Sequence, residues 1–194
     1  MVTGKIHFDK YELLICVSGG IAAYKTASLV SALVQKKAAV SVAMTANATK
    51  LIGPATFRAL TGRAVYTDLW AEGLSNDIEH ISLSERADLV VVAPATANIL
   101  AKMAAGIADD LVSTTLLSVE GPILLAPAMN VRMWSNPATQ QNVATLKARG
   151  HILVGPESGW QACGEVGMVR MAEPEAILQA IEGILRQRKP KITI

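Results

Sequence analysis

Residues 12–20 read ELLICVSGG, a short apolar run that ends in a serine and two glycines. Strands that are apolar on both faces are typical of parallel sheets whose two sides are covered by helices. Two more runs have the same character, DLVVVA at 88–93 and PILLA at 122–126. The stretches between such runs carry apolar residues at helical spacing, beginning with 21–36. The alternation predicts an α/β fold, a three-layer, doubly wound parallel sheet of Rossmann or flavodoxin type.

The same patterns predict the other elements along the chain. Further strands are expected at 39–44, 64–66 and 152–154. Further helices are expected at 82–87, 98–106, 109–118, 137–149 and 173–188. Another helical stretch is expected from the polar turn 45–47 to about residue 60. The long irregular piece is 155–171, GPESGWQACGEVGMVRM. Loops of this length in compact domains are usually lids over a functional site or disordered. We expect one domain over 1–194, with 155–171 as a flap.

Composition and charge exclude several classes of protein. Half of the 194 residues (51%) are hydrophobic, which is enough to bury a sizeable core. Of the 18 basic residues, four lie in RQRKPK at 186–191, and without them acidic residues outnumber basic ones. A basic groove for nucleic acid is therefore not expected. No apolar run approaches the ~20 residues of a membrane span, and residues 1–10 lack the apolar core of a signal peptide. These features predict a cytoplasmic protein with no membrane or nucleic-acid partner.

Four segments follow predicted strands and would meet at one edge of the sheet, where ligands of such folds bind. They are SGGIAAYK at 18–25, MTANATK at 44–50, APATAN at 93–98 and APAMN at 126–130. Glycines let backbone N–H groups approach an anion at the start of a helix, although a tight turn would need them equally. No acidic residue follows the second strand to hold a ribose 2′-hydroxyl, which disfavours NAD. Small residues beside hydroxyl and amide groups favour a mononucleotide such as FMN.

A few side chains could take part in chemistry. His80 in DIEHISL could act as a general base, or be a surface or helix-capping histidine. Asn130 in PAMNVRMW could orient a carboxylate, or only satisfy a turn. Cys163 in QACGEVG would carry a mobile, exposed thiol, whereas Cys16 lies within an apolar strand and is expected to be buried and inert. Two cysteines make no disulfide framework, the other two histidines are assigned no role, and no metal site is expected.

Several of these motifs together resemble the flavin-dependent cysteine decarboxylase family. The resemblance is carried by SGGIAAYK, EHISL, APATAN, PAMNVRMW and QACGEVGMVRM, and it covers about residues 13–171. PAMNVRMW matches the family motif P-x-M-N-x-x-M-W at every specified position. APATAN and GPESGWQACG are most similar to the members that act on 4′-phosphopantothenoylcysteine in coenzyme A biosynthesis. Those members are often the N-terminal half of a bifunctional protein that also carries a synthetase.

The resemblance implies a bound FMN and a defined set of residues that hold it. They are Gly19, Gly20, Ile21, Thr45, Thr96, Ala97, Asn98 and Ala128. Family members assemble as trimers or trimer-based homo-oligomers, with FMN at the interface between subunits. The resemblance therefore implies that this chain is also a homo-oligomer.

The resemblance also implies roles for the reactive residues. His80 would be the catalytic base, Asn130 would bind the substrate carboxylate and Cys163 would donate a proton in the reductive step. Ala162 and Met171 would line the substrate side of the flap. The family flap reads A-C-G-x-x-G-x-G-x-M, and Val169 replaces a glycine of that pattern here. Valine lacks the positive-φ freedom that glycine has.

The activity that the resemblance implies is an FMN-dependent carbon–carbon lyase reaction. It would convert 4′-phosphopantothenoylcysteine to 4′-phosphopantetheine through thiol oxidation, loss of CO₂ and reduction of an enethiol. One alternative is a peptidyl-cysteine decarboxylase, which acts on the C-terminal cysteine of a precursor peptide. Two others are a non-catalytic regulatory subunit that inhibits a phosphatase and a flavin prenyltransferase. Residues 186–194 are expected to be a basic tail or the start of a linker to a synthetase domain.

Overall fold

The computed structural model describes residues 6–70, 79–160 and 166–191, without the side chains of 79–80, 158–160 and 166–169. In chain order the elements are β1 (Glu12–Val17), α1 (Ala23–Gln35), β2 (Ala39–Met44), α2 (Ala46–Thr49), α3 (Pro54–Thr61), β3 (Val65–Tyr66), α4 (Glu79–Arg86), β4 (Leu89–Ala95), α5 (Ala97–Ala105), α6 (Leu111–Ser118), β5 (Ile123–Pro127), α7 (Val131–Ser135), α8 (Pro137–Ala148), β6 (Ile152–Leu153), β7 (Glu157–Trp160), β8 (Val166–Arg170) and α9 (Pro174–Leu185). None of the helices in these ranges is long and apolar enough to cross a membrane.

Six strands form one parallel sheet, and β1 and β4 lie at its centre. The strand order is β3-β2-β1-β4-β5-β6. In β1, Leu13 is paired with Val40 of β2 on one side and with Leu89 of β4 on the other. Because the order reverses between β1 and β4, a crevice opens beyond their carboxyl ends. The predicted doubly wound parallel sheet is confirmed, with the strand order of the Rossmann type.

Both faces of the central strands are buried, as the apolar runs predicted. Leu13, Ile15 and Val17 of β1 belong to a cluster that includes residues of α1 and α9. Leu14 and Cys16 belong to a second cluster, which includes residues of α5, α6 and α8. Successive side chains of a strand point to opposite faces, so one six-residue run supplies both cores. Helices therefore cover both sides of the sheet, which is the predicted three-layer arrangement.

Most predicted elements are present with boundaries shifted by one or two residues, but two helical predictions were wrong in detail. The helical stretch expected to reach residue 60 is two helices, since Pro54 begins α3 as its first residue, where its missing N–H has no helical partner to lose. The helix expected at 82–87 already includes Glu79, so His80 lies within α4 rather than ahead of it. β4 also runs past the predicted end, with a register shift between Val92 and Ala95 around Pro94, which has no N–H to donate.

The flap segment 155–171 differs from the irregular piece that we expected. β7 and β8 pair in antiparallel fashion, with Glu157 opposite Arg170 and Trp160 opposite Val166. Glycine-rich sequence has low strand propensity, and this pairing rests on backbone hydrogen bonds, which no side-chain pattern reveals. The two strands therefore provide a regular base for the segment, on either side of the residues 161–165 that the structure leaves undescribed.

Residues 186–191, which follow α9, are attached to the fold. The hydroxyl of Tyr11 lies 3.0 Å from the carbonyl oxygen of Arg188, and the buried Asp88 carboxylate accepts a hydrogen bond from the backbone N–H of Lys191 at 2.6 Å. The other oxygen of Asp88 accepts from the N–H of Glu12 at 2.8 Å. Burial, together with the charge of Asp88, raises the pKa of Tyr11. Residues 186–191 are thereby attached at the starts of β1 and β4, the sheet edge opposite their carboxyl ends.

Candidate active site

A cavity of about 990 Å³ opens at the carboxyl ends of β1, β2, β4 and β5. It forms where the four predicted segments meet, so the edge expected to bind a ligand does carry an opening. Ten of the residues predicted for the site line it, namely Gly19, Gly20, Ile21, Thr45, Thr96, Ala97, Asn98, Ala128, Asn130 and Met171. The structure therefore brings together the whole predicted cofactor set.

The loop after β1 is fastened to the loop after β4 through a buried serine. The hydroxyl of Ser18 donates to the carbonyl oxygen of Pro94 at 2.6 Å and accepts from the N–H of Thr96 at 3.1 Å. A Cβ on Gly20 would come 3.2 Å from a methyl carbon of Thr96, so glycine permits this close approach. Two strand ends that are far apart in sequence thus form one rigid wall of the cavity.

Gly19 makes an even closer approach, to the segment that follows β2. A Cβ on Gly19 would lie 2.5 Å from the Cβ of Asn47, a separation that non-bonded carbon atoms do not reach. The glycines after β1 are therefore required for loop packing. The same lack of side chains leaves the backbone of this loop open to the cavity.

Three polar residues of the predicted site act as N-caps of the helices that begin at the cavity. Thr45 accepts from the N–H of Ala48 at 3.3 Å, and Thr96 accepts from the N–H of Ile99 at 3.4 Å. Asn130 caps α7, its Oδ1 accepting from the N–H of Arg132 at 2.8 Å. Asn130 therefore does satisfy the turn before α7, as one of the two alternatives predicted, and it uses its side-chain oxygen to do so. A carboxylate ligand would have to meet the donor end of that amide.

Charged residues stand at two ends of the cavity, and sequence reasoning missed them. Lys25 is buried, and its Nζ contacts Glu173 Oε1 at 2.7 Å and the carbonyl oxygen of Met171 at 3.3 Å. The hydrogen bond from Lys25 holds the pKa of Glu173 below its usual value. This ion pair ties α1, which carries part of the cofactor wall, to the base of the flap.

The second charged group lies between α5 and α6. Lys102 contacts Asp109 at 2.5 Å and Asp110 at 2.6 Å, and Asp110 also caps α6 by accepting from the N–H of Ser113. Burial alone would lower the pKa of Lys102, but hydrogen bonds to the two aspartates outweigh it and raise the pKa. Lys102 follows Asn98 by four residues on α5, the spacing of one helix face, and that spacing was the available signal.

Three exposed apolar side chains surround the mouth of the cavity. Ile21 and Tyr24 are 73% and 61% exposed, and Met133 is 48% exposed. Single exposed apolar residues are ordinary, but a group beside a cavity marks a surface that binds a ligand or another chain.

Several predicted residues cannot be placed. Ala162 and Cys163 lie outside the described residues, and so do the side chains of His80 and Val169. The backbone of His80 is part of α4. Within the described part of the chain, no group of three or more histidine, cysteine or acidic residues could hold a metal ion.

Comparison with known proteins places the chain among flavoproteins. The family model described as Flavoprotein matches residues 3–186. The chain is 48% identical over 171 residues to the coenzyme A biosynthesis bifunctional protein CoaBC of Bacillus subtilis, covering 88% of this chain and 42% of that protein. The chain spans less than half the length of the curated relatives it matches.

Solved structures with the same fold are similar over nearly their whole length. A mutant PPC decarboxylase complexed with pantothenoylaminoethenethiol superposes with a TM-score of 0.83 at 29% identity, covering 91% of this chain and 98% of that one. The FMN-dependent cysteine decarboxylase SpaF has a TM-score of 0.79 at 36% identity, covering 93% and 98%. With the family model matching almost from end to end, this chain belongs to the Flavoprotein family.

Proposed function

We propose that this chain is an FMN-dependent decarboxylase that converts 4′-phosphopantothenoylcysteine to 4′-phosphopantetheine in coenzyme A biosynthesis. The observation that carries the proposal is the cavity at the carboxyl edge, where the predicted cofactor residues meet Asn130 and Met171. The similarity to CoaBC proteins supports the substrate, and the similarity to an FMN-dependent decarboxylase supports the cofactor.

The residues present fit FMN. The cavity has the volume of a small-molecule site, and its small side chains leave space for a flat ring. Ala97, Ala128 and Ile21 would contact the ring, and the N-capping Thr45 and Thr96, with the backbone of the Gly19–Gly20 loop, would bind its polar groups. Helix N-termini with free N–H groups favour an anion such as the phosphate of a mononucleotide.

The cofactor answers the chemical difficulty of this decarboxylation, because loss of CO₂ would leave an electron pair on Cα with no acceptor. When bound, FMN would supply reversible two-electron oxidation of the cysteine side chain, and the resulting thioaldehyde can accept that pair. The protein's own residues would then position the substrate and move protons. Asn130, anchored by its cap to α7, would hold the carboxylate in a fixed direction.

Two further roles come from the resemblance. His80 would act as the base that removes a proton, an effect of roughly 10²–10⁴-fold for general acid–base catalysis. Cys163 would supply the proton when the enethiol is reduced to the product thiol. Met171 would contact the substrate from the base of the flap, where Lys25 holds its carbonyl oxygen.

The protein would work as a homo-trimer or a trimer-based assembly. The apolar group at the cavity mouth, formed by Ile21, Tyr24 and Met133, supports this proposal, because a second subunit would cover it and complete the FMN site. The CoaBC relatives are bifunctional and longer, so we propose that this chain also acts beside a synthetase domain in a longer protein.

The experiment that tests the function is direct. The purified protein should carry the visible absorbance of FMN and release CO₂ from 4′-phosphopantothenoylcysteine. Asn130→Leu should bind FMN and lose most of this activity, whereas Asn136→Ala, which removes the comparable N-cap of α8 away from the cavity, should retain it. A colourless protein that takes up no FMN would disprove the proposal.

A second candidate is a peptidyl-cysteine decarboxylase, which the similarity to the peptidyl-cysteine decarboxylase EpiD (TM-score 0.76 at 26% identity) favours. Such an enzyme would share the cofactor site and Asn130 but would accept a peptide with a C-terminal cysteine. Measuring CO₂ release from both kinds of substrate separates the two functions, and we expect the peptide to be the poorer substrate by at least tenfold.

A further inference from the structure

The charges that line the cavity are not balanced equally. Among the lining residues that the structure describes, the basic ones are Lys25, Lys102 and Arg170. Lys102 is flanked by two aspartates, and Lys25 forms a 2.7 Å ion pair with Glu173. Each of these two lysines is therefore neutralised by carboxylates of the protein itself.

Arg170 is in a different situation. Its Nη2 lies 3.5 Å from Glu173 Oε1, the same oxygen that Lys25 contacts at 2.7 Å. A 3.5 Å contact is too long for a good hydrogen bond, and an ion pair this exposed (43% and 48%) stabilises little. A guanidinium has five N–H donors. In the described part of the chain, no carboxylate neutralises Arg170 as closely as those that pair with the two lysines.

The position of Arg170 places this charge at the flap end of the cavity. Arg170 ends β8, directly before the buried Met171, and β8 packs against α7. Asn130 caps that same helix. A neutral amide and a charged guanidinium thus both line the cavity, on elements that pack against each other.

We propose that Arg170 binds the 4′-phosphate of the substrate and makes the enzyme prefer the phosphorylated substrate over pantothenoylcysteine. The inference rests on the proposed function and adds a residue that determines specificity. A planar guanidinium can form two parallel hydrogen bonds to a phosphate, and such charge-assisted bonds are stronger than neutral ones. The Lys25–Glu173 pair supports this role, because the oxygen of Glu173 that faces Arg170 already accepts a 2.7 Å hydrogen bond from Lys25.

A comparison of two substrates tests the role of Arg170. The value of kcat/KM is measured with 4′-phosphopantothenoylcysteine and with pantothenoylcysteine for the wild type, Arg170→Met, Arg170→Lys and Arg186→Met. Arg186 is the matched control, a comparably exposed arginine whose Nη2 lies 3.9 Å from Glu182, outside the cavity lining. FMN absorbance of each purified variant shows whether its cofactor site is intact.

The expected result is a selective loss. Arg170→Met should lower kcat/KM for the phosphorylated substrate by roughly 10–100-fold, mainly through KM, and leave the value for pantothenoylcysteine within about twofold of wild type. Arg170→Lys should recover part of the loss because it keeps the charge without the planar fork, and Arg186→Met should match the wild type for both substrates.

Other outcomes overturn the inference in distinguishable ways. Equal losses of kcat/KM for both substrates would mean that Arg170 binds the substrate carboxylate or only stabilises the fold. A loss of FMN from both Arg170 variants would overturn the inference in the same way. A wild type that uses both substrates equally well would show that no phosphate site exists, while the proposed decarboxylase function stands. A wild type with FMN that decarboxylates neither substrate would overturn the proposed function itself.

Discussion

Cys16 shows how burial controls the chemistry of a residue. It lies next to the last residue of β1 with no exposed surface, as its apolar neighbours in the sequence predicted. Burial, with a smaller contribution from the charge of Asp110, raises the pKa of its thiol to about 12. The thiolate is the reactive form of cysteine, so this residue is chemically inert in the folded protein.

The inertness of Cys16 can be measured in a Cys163→Ser background, where it is the remaining cysteine. At pH 8 the folded variant should not react with Ellman's reagent over minutes, and one thiol should react after unfolding in guanidinium. A fast reaction of the folded variant would mean that β1 opens readily or that Cys16 is accessible.

His151 predicts a pH dependence of stability. Partial burial, and then the charge of Arg149, lower its pKa below the usual 6.5. The unfolded chain therefore binds a proton more readily than the folded chain between these two pKa values. The contribution of neutral His151 to the free energy of unfolding is therefore present in full above about pH 6.5. It is lost as the pH falls through the folded-state pKa of His151.

Urea unfolding at several pH values tests this dependence. His151→Gln should reduce the decline in the free energy of unfolding between pH 7 and 5. Arg149→Met removes the neighbouring charge, whatever its effect on stability at pH 7. The decline in its free energy of unfolding between pH 7 and 5 should lie between those of the wild type and His151→Gln. A slope unchanged by His151→Gln would contradict the assignment.

At the scale of elements, the loop after β1 depends on the absence of a side chain at Gly19. Gly19→Ala would press a Cβ against Asn47, forcing the loop or α2 to move. We expect a loss of about 1–3 kcal/mol in the free energy of unfolding, which is typical of overpacking, and weaker FMN binding in a fluorescence titration.

A second glycine serves as the control for that substitution. Gly183 is exposed within α9, and a Cβ there would meet nothing within 4 Å. Gly183→Ala should raise the free energy of unfolding by roughly 0.5–1 kcal/mol, because alanine restricts the unfolded chain, and should leave FMN binding unchanged. Equal effects of the two substitutions on stability and FMN binding would show that the close contact between Gly19 and Asn47 does not matter for either property.

The sheet was predictable because its signal is local. ELLICV, DLVVVA and PILLA are buried on both faces, and such runs have few alternatives in a chain of this composition. The polar residues at the strand ends followed from the rule that parallel strands share a carboxyl edge. The prediction failed where the structure depends on backbone pairing, as in β7 and β8, and at α4, which already includes Glu79, three residues before the predicted start.

The charged groups of the site were missed for a different reason. Lys25 and Glu173 are 148 residues apart, so no sequence spacing indicates their contact. The same holds for Asp88, which holds residues from both ends of the chain. Such pairs depend on the packed arrangement of the elements, which a pattern of hydrophobicity does not specify. Roles for His80, Ala162 and Cys163 remain predictions from resemblance.

For the whole molecule, the proposed trimer makes a prediction about the cavity mouth. Tyr24→Lys would place a charge in the apolar group that a second subunit is proposed to cover. We expect sedimentation velocity to show smaller species and the protein to lose FMN on dialysis. Gln35→Lys adds the same charge at the other end of α1, on an exposed residue outside the cavity lining, and should sediment as the wild type. Unchanged sedimentation of Tyr24→Lys would contradict this arrangement.

The attachment of residues 186–191 has a practical consequence. Asp88 binds Lys191 at the start of β4, whereas the cavity lies beyond the other end of that strand. A strand of six or seven residues is roughly 20 Å long, so about that distance separates Lys191 from the cavity. A dye, an affinity tag or a resin joined beyond Lys191 would therefore start on the far side of the sheet. Protein captured on a sensor chip through that tether should therefore present the cavity to the flowing solution. Ligand titrations on the chip should then give the same affinities as titrations in solution.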